Sequence, residues 1–69
     1  MNGYFWIMYA RGSDLPRVGL FKVCIHNELG DLCLTPIKGE GTGFEMILQP
    51  DQIIDSSEVV NPFNSFKKV

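Results

Sequence analysis

Histidine occurs once among the 69 residues of this chain and cysteine twice, and no serine stands in the context of a nucleophile elbow. Nucleophilic catalysis needs a base beside the nucleophile and a third group that orients the base, and the pair Cys24 and His26 lacks such a group. Small disulfide scaffolds usually carry about four to eight cysteines. These scarcities argue against an enzyme, and they predict free thiols in a reducing, cytoplasmic compartment.

Long apolar runs and helical periodicity are also missing. The longest apolar stretch, Tyr4–Ala10, is too short for a signal-peptide core or a transmembrane span. A chain of 7.8 kDa buries about 60% of its unfolded surface, which suffices for one small core. We therefore expect a single domain over residues 1–62, followed by a tail over residues 63–69 whose Phe63 and Phe66 either plug one end of the domain or dock on another chain.

Basic residues are absent from residues 39–66. That stretch has a net charge of −5, whereas residues 1–38 sum to +1 and Lys67 and Lys68 add +2, giving −2 in all. An acidic surface repels phosphate backbones and suits a basic protein partner. An acidic excess also keeps a small protein soluble without any further role. The acidic residues of this stretch are Glu40, Glu45, Asp51, Asp55 and Glu58.

What the sequence does contain is a series of short segments rich in β-forming residues, separated by turn residues. The first is apolar on both faces, so we expect it to be central or covered on each side. Pro36 predicts that the third segment ends there or lies at an edge. The segments are Tyr4–Tyr9; Arg17–His26, with Phe21, Val23 and Ile25 inward; Leu32–Thr35, with Leu32 and Leu34 inward; Phe44–Leu48, with Phe44, Met46 and Leu48 inward; and the short final pieces Ile53–Ile54 and Glu58–Val60.

Four or five such strands in so short a chain predict an all-β fold. The best match is a small SH3-like barrel, in which a strand, a long loop, a three-strand meander, a 3₁₀ turn and a closing strand follow one another. Gln49–Gln52 has the composition of that 3₁₀ turn, and Gly30 can supply a positive φ in the hairpin loop between the second and third strands.

Two clusters resemble ligand sites. If the hairpin turn centres near Glu28 and Leu29, Cys24 lies opposite Cys33 and His26 opposite Asp31, which allows a disulfide or a four-ligand metal shell. The spacing is not a recognised zinc motif, so we predict no metal, no cofactor and two free thiols. The glycine-rich stretch 38–43 precedes a strand rather than a helix, which favours a hairpin or partner-contact loop over a phosphate-binding loop.

Aromatic residues in the first strand suggest a second type of function. Tyr4, Trp6 and Tyr9 could stack on bases if Arg11, Arg17, Lys22 and Lys38 shared their face, although the acidic balance disfavours nucleic acid as a partner. The same aromatics could instead form the core or grip a peptide.

The segments Gly3–Ile7, Leu15–Phe21 and Glu58–Pro62 are similar to those of small uncharacterised proteins encoded by phages and prophages. Those proteins share an aromatic first strand, a short meander and a closing valine-proline segment. The tryptophan that they often carry in the middle of the meander is absent from this chain, and Leu32 and Leu34 stand in that region. The resemblance implies a bacterial cytoplasmic setting and a protein that acts by binding, often to block a host enzyme or defence complex.

We therefore predict a non-catalytic protein-binding module, with a homodimer considered because so small a core gains much from association. Its partner would be a basic surface of a host protein, with no membrane involved. The alternatives are a nucleic-acid-binding barrel and an oligomeric enzyme with a shared central site. The predicted partner-binding residues are Glu40, Glu45, Asp51, Asp55 and Glu58 for electrostatic steering, and Trp6 and Phe63 as apolar anchors.

Overall fold

The computed structural model describes residues 2–39 and 44–61, and their regular structure consists of five strands and one short 3₁₀ helix. The strands form one antiparallel sheet in the order β4-β3-β2-β1-β5, curled into a half-barrel. This confirms the predicted all-β class and the order of meander, 3₁₀ turn and closing strand. The elements are β1 (Gly3–Tyr9), β2 (Arg17–Ile25), β3 (Leu32–Gly39), β4 (Met46–Leu48), the 3₁₀ helix (Pro50–Gln52) and β5 (Ile53–Glu58).

Strand β1 is central, as its apolar composition predicted, because it pairs with β2 on one side and with β5 on the other. Its two faces are not equally covered. Side chains alternate between the two faces of a strand, and the outward ones, Trp6 and Met8, are 38% and 39% exposed. The inward ones, Ile7 and Tyr9, are buried.

The core lies on the concave, inner face of the sheet. It joins residues from β1, β2, β3 and β4, and the Tyr9 and Phe21 rings meet edge to face with their centroids 6.0 Å apart. Its buried members are Ile7, Tyr9, Phe21, Val23, Leu32, Leu34 and Leu48. The alternation in the sequence predicted most of this set, because inward positions recur at every second residue.

Pro36 does not end β3, and β3 is not an edge strand, so both expectations drawn from this proline are wrong. The amide of His26 donates to the carbonyl of Asp31 at 2.7 Å, and hydrogen-bonded pairs alternate along an antiparallel ladder. At Pro36 the nitrogen therefore points away from β2. On its other side the described residues of β4 pair with β3 only up to Leu34, so the missing N–H of Pro36 breaks no ladder bond among the described residues.

Two irregularities in register accompany the curl of the sheet. Between β2 and β3 the register shifts at Leu20 and Phe21, which leaves Ile37 as an extra residue in β3. Between β1 and β5 it shifts at Met8 and Tyr9, which leaves Ile54 as an extra residue in β5. Such bulges bend a strand and increase its twist, so they favour a curled sheet over a flat one.

Two residues expected to face inward do so incompletely or not at all. Phe44 is 81% exposed because it precedes the first residue of β4 and so lies outside the ladder. Ile25 is 53% exposed at the last position of β2. Immediately after it the chain turns at Asn27, whose side-chain oxygen accepts the amides of Leu29 and Asp31. Gly30 completes this turn with the predicted positive φ, 91°.

The final strand was expected as two short pieces separated by Asp55–Ser57. It is instead continuous from Ile53 to Glu58, because its backbone pairs with β1 whether or not its side chains are apolar. The 3₁₀ turn before it is confirmed, with the Gln52 amide donating to the Gln49 carbonyl at 3.0 Å. Most of the glycine-rich loop and the tail with Phe63 and Phe66 lie outside the described residues.

Candidate binding groove

The connection between β1 and β2 begins with a tight turn over Arg11–Asp14. The Asp14 amide donates to the Arg11 carbonyl at 3.0 Å, and Gly12 has a φ of 58°. A positive φ at the first central residue is what a type II′ turn requires, and glycine supplies it without steric cost. The turn directs Arg11 and Leu15 away from the core.

Arg11 links this connection to the strand at the far side of the sheet. Its Nη2 donates a hydrogen bond of 3.3 Å to the carbonyl oxygen of Ile47 in β4, 36 residues further along the chain. Strand β4 is short and lies at the edge of the sheet. The bond therefore spans one end of the half-barrel, where the described residues of β4 and β5 form no ladder with each other.

Below this link lies an open groove of about 620 Å³, which we call the end groove. Its volume is within the ~300–1,000 Å³ typical of ligand pockets. Its floor includes the side of the core residue Tyr9, and its walls are the β1–β2 connection and the start of β4. The lining residues are Tyr9, Ala10, Arg11, Asp14, Leu15, Arg17, Phe44, Glu45, Met46 and Ile47.

Large apolar side chains at the end groove are unusually exposed. Leu15 is 84% and Phe44 81% exposed, one from each wall, and Ile47 is 39% exposed. Leaving such groups in water forgoes a stabilisation of about 1.5–3 kcal/mol per side chain. A single exposed leucine is unremarkable, but three apolar residues around one concavity are typical of a site that another molecule covers.

The charges in the end groove balance. Two basic residues, Arg11 and Arg17, and two acidic ones, Asp14 and Glu45, line it, for a formal sum of zero. Glu45 is already engaged, because its Oε2 accepts the hydroxyl of Thr35 at 3.0 Å. The guanidinium of Arg17 forms no hydrogen bond or ion pair with the described residues, and Arg17 is exposed at the groove.

The predicted steering residues are divided between two edges of the sheet. Glu45 lies at the end groove beside β4, whereas Asp51, Asp55 and Glu58 are exposed along the 3₁₀ helix and β5, the opposite edge strand. Asp55 also has a local partner, since its Oδ1 accepts the backbone amide of Ser56 at 2.9 Å. Glu40 lies outside the described residues.

The predicted apolar anchor Trp6 lies on the outer face of β1, opposite Ser57 of β5 and Leu20 of β2. It is not part of the end groove. Phe63, the other predicted anchor, lies outside the described residues. The outer face therefore holds an apolar surface separate from the end groove.

The four basic residues considered for nucleic acid do not share one face. Arg17 pairs with the inward-facing Tyr9, whereas Lys22 pairs with the outward-facing Tyr4 and Lys38 with the outer-face residue Leu20. Arg11 lies in the β1–β2 connection. Only the two arginines meet, at the end groove.

The predicted pairing around the hairpin is confirmed: Cys24 lies directly opposite Cys33, and both are free thiols. Partial burial raises the pKa of the Cys33 thiol. A hydrogen bond with Glu45, the charge of Glu45 and the neighbouring Cys24 raise that pKa further.

In the described part of the chain, no three His, Cys, Asp or Glu residues lie close enough to hold a metal ion.

Sequence reasoning missed most of the end groove. Leu15 lies outside the predicted strands, Phe44 is predicted to face the core, and Arg17 begins a predicted alternating strand. Leu15 by itself carried no usable signal, because single exposed apolar residues are common and the loop residue Leu29 is equally exposed outside the groove. The groove residues on the β4 side lie 29 or more positions after Leu15 in the sequence. No local pattern indicates that the two segments line one groove.

Comparison with protein-family models, curated proteins and solved structures found no match to this chain. Across residues 2–39 and 44–61 there is also no helix with the length and apolar character that a membrane span requires.

Proposed function

We propose that this chain is a non-catalytic protein-binding module with an SH3-like arrangement of strands, and that its partner docks at the end groove. The observation that carries the proposal is the concavity of about 620 Å³ between two nearly fully exposed apolar side chains, Leu15 and Phe44. Interface cores combine apolar anchors with arginine and a polar rim. The end groove has these components in one place.

The strand order supports the SH3-like part of the proposal. In that fold a meander of three strands continues through a 3₁₀ turn into a closing strand that pairs with the first, which is the order of elements in this chain. The resemblance to small phage and prophage proteins adds the proposed setting. It is the bacterial cytoplasm, where the module would act by blocking a host or defence protein.

Long-range electrostatics add a role for the acidic edge. Asp51, Asp55 and Glu58 are distributed along the 3₁₀ helix and β5, with no basic residue from Pro50 to Glu58. Charges arranged in this way accelerate encounter with a basic surface and lose their effect at high salt. We propose that this edge steers the partner while the end groove holds it.

The test is capture of partners from bacterial lysate with three forms of the tagged protein: the unmodified chain, Leu15→Asp and Leu29→Asp. The two leucines are 84% and 83% exposed, in the β1–β2 and β2–β3 connections respectively, so they differ in position rather than in burial. We expect one stoichiometric partner with the unmodified chain and with Leu29→Asp. The amount of partner recovered with Leu15→Asp should be at least tenfold lower.

Equal recovery by the two leucine variants, or recovery of the chain alone, would contradict docking at the end groove. A double variant, Asp51→Lys with Asp55→Lys, then tests the steering role separately. It should slow association at low salt and have little effect at high salt, as surface plasmon resonance would record with the captured partner. Thermal unfolding of each variant checks that the fold is retained.

A further inference from the structure

We infer that the end groove recognises an extended peptide segment carrying one carboxylate beside apolar side chains. The inference rests on the proposed function and names the chemistry of the partner at the site. It concerns contact inside the groove, so it is independent of the steering proposed for the acidic edge.

Arg17 is the first residue to consider, because pairing in the sheet fixes its backbone at the groove. It begins β2 and pairs with Tyr9, which is 5% exposed and belongs to the core. Among the described residues the guanidinium forms no hydrogen bond or ion pair. A planar fork of N–H donors held at a groove fits a carboxylate through two parallel hydrogen bonds.

Arg11 contributes differently. Its Nη2 is bound to the Ile47 carbonyl at 3.3 Å, which fixes the end of the side chain across the groove. The remaining N–H groups stay available to a ligand, since an arginine carries five donors. Because the Ile47 carbonyl already has this donor, we expect recognition through side chains rather than through addition of a strand to β4.

The acidic lining limits the charge of the ligand. Asp14 and Glu45 lie in the same groove as the two arginines, and the formal sum is zero. A phosphate carries about −1.5 to −2 charges at neutral pH, so the two carboxylates would oppose it more strongly than they oppose a single carboxylate. A segment with one carboxylate therefore suits the lining better than a phosphopeptide.

The apolar residues specify the rest of the ligand. Leu15 and Phe44 line the groove, and so does Ile47, whose carbonyl accepts the Arg11 bond. An apolar side chain next to the carboxylate would cover these surfaces when the carboxylate meets Arg17. The ligand is then a short segment in which acidic and apolar residues are neighbours.

The experiment uses two end-capped hexapeptides of leucine, phenylalanine and alanine that differ at one central residue, glutamate or glutamine. Each is titrated into the ¹⁵N-labelled full chain, and the amide shifts of Ala10, Arg11, Leu15 and Ile47 report on the groove. We expect the glutamate peptide to bind at least fivefold more tightly at low salt. Arg17→Gln should abolish that preference.

Lys22→Gln is the matched control, because it removes the same charge from the opposite face of the same strand. It should keep the preference. Equal binding of the two peptides, no shifts at the groove, or an unchanged preference in Arg17→Gln would overturn the inference. A phosphoserine peptide that binds more than tenfold more tightly than the glutamate peptide would also overturn it, in favour of a phosphate site.

The two proposals fail separately. If Leu15→Asp recovers less partner than Leu29→Asp but the two peptides bind equally, the end groove binds a partner through another chemistry. If the glutamate peptide binds more tightly but the two leucine variants recover the partner equally, the groove recognises carboxylates although the captured partner docks elsewhere.

Discussion

The inner and outer faces of this sheet carry similar apolar residues with opposite outcomes. On the inner face Phe21 and Val23 are completely buried, whereas on the outer face of the same strand Val18 is 42% exposed. In β4 the inward Leu48 is buried and its outward neighbour Ile47 is 39% exposed. Apolar composition therefore did not decide burial; the direction in which the sheet curls did.

Leu20 is the exception on the outer face, and it shows what burial there needs. It is 1% exposed, and its cross-strand neighbours are Trp6 on β1 and Lys38 on β3. Long side chains on both sides can cover a leucine on a convex surface, since cross-strand neighbours lie about 5 Å apart. Val18 lies nearer the end of β2, next to the β1–β2 connection, and stays partly in water.

The largest expected effect contrasts two phenylalanines. Phe21→Ala removes a fully buried ring from the core, whereas Phe44→Ala removes a ring that is 81% exposed. The first should lower the free energy of unfolding by about 3–5 kcal/mol, and the second by about 0.5 kcal/mol or less. Urea unfolding followed by circular dichroism measures both; similar losses would mean that Phe44 belongs to the core after all.

A smaller effect tests the two faces within one strand. Val23→Ala should cost about 2 kcal/mol, because it removes buried carbon and leaves a cavity. Val18→Ala, on the outer face, should cost about 0.5 kcal/mol or less. The same unfolding measurement applies. A loss at Val18 as large as that at Val23 would indicate that the outer face is covered, for instance in a dimer.

The smallest effect concerns the thiols of the outer face. The pKa of Cys33 is raised by burial and by Glu45, so at a given pH less of it is the reactive thiolate. Iodoacetamide at pH 8 should therefore modify Cys33 more slowly than the exposed Cys24. The rate at Cys33 should increase with pH, because a raised pKa moves thiolate formation to higher pH.

Glu45→Gln should increase the rate at Cys33 severalfold by removing the neighbouring charge. Asp51→Asn is the control, since it removes an exposed carboxylate from the 3₁₀ helix. Peptide mass spectrometry distinguishes the two thiols. An unchanged rate in Glu45→Gln would show that Glu45 does not control the reactivity of Cys33.

The parts of the fold that depend on local patterning could be predicted. β-forming composition located β1, alternation located β2 and most core residues, and turn chemistry located the hairpin at Gly30 and the 3₁₀ turn. The continuation of β3 through Pro36 and of β5 through Asp55–Ser57 could not be predicted. Both depend on which backbone groups face a neighbouring strand, and a single sequence does not contain that information.

The candidate site was less predictable than the fold. The expected steering residues were selected by charge in sequence order, and the sheet places Glu45 at one edge and Asp55 at the other. The end groove instead combines residues 9–17 with residues 44–47, which the sequence separates by two strands. A concavity depends on which segments the curl brings together, so patterning within each segment does not reveal it.

The sequence by itself determined that this chain forms short antiparallel strands around one small core, because period-two alternation and turn residues act over a few neighbouring positions. The tertiary structure alone decided which apolar residues remain in water, which carboxylates lie together, and that Arg11 spans the sheet to Ile47. The physical reason is distance along the chain. Those outcomes require strands far apart in sequence to pair in one register, and bulges at Ile37 and Ile54 to accompany the curl of the sheet.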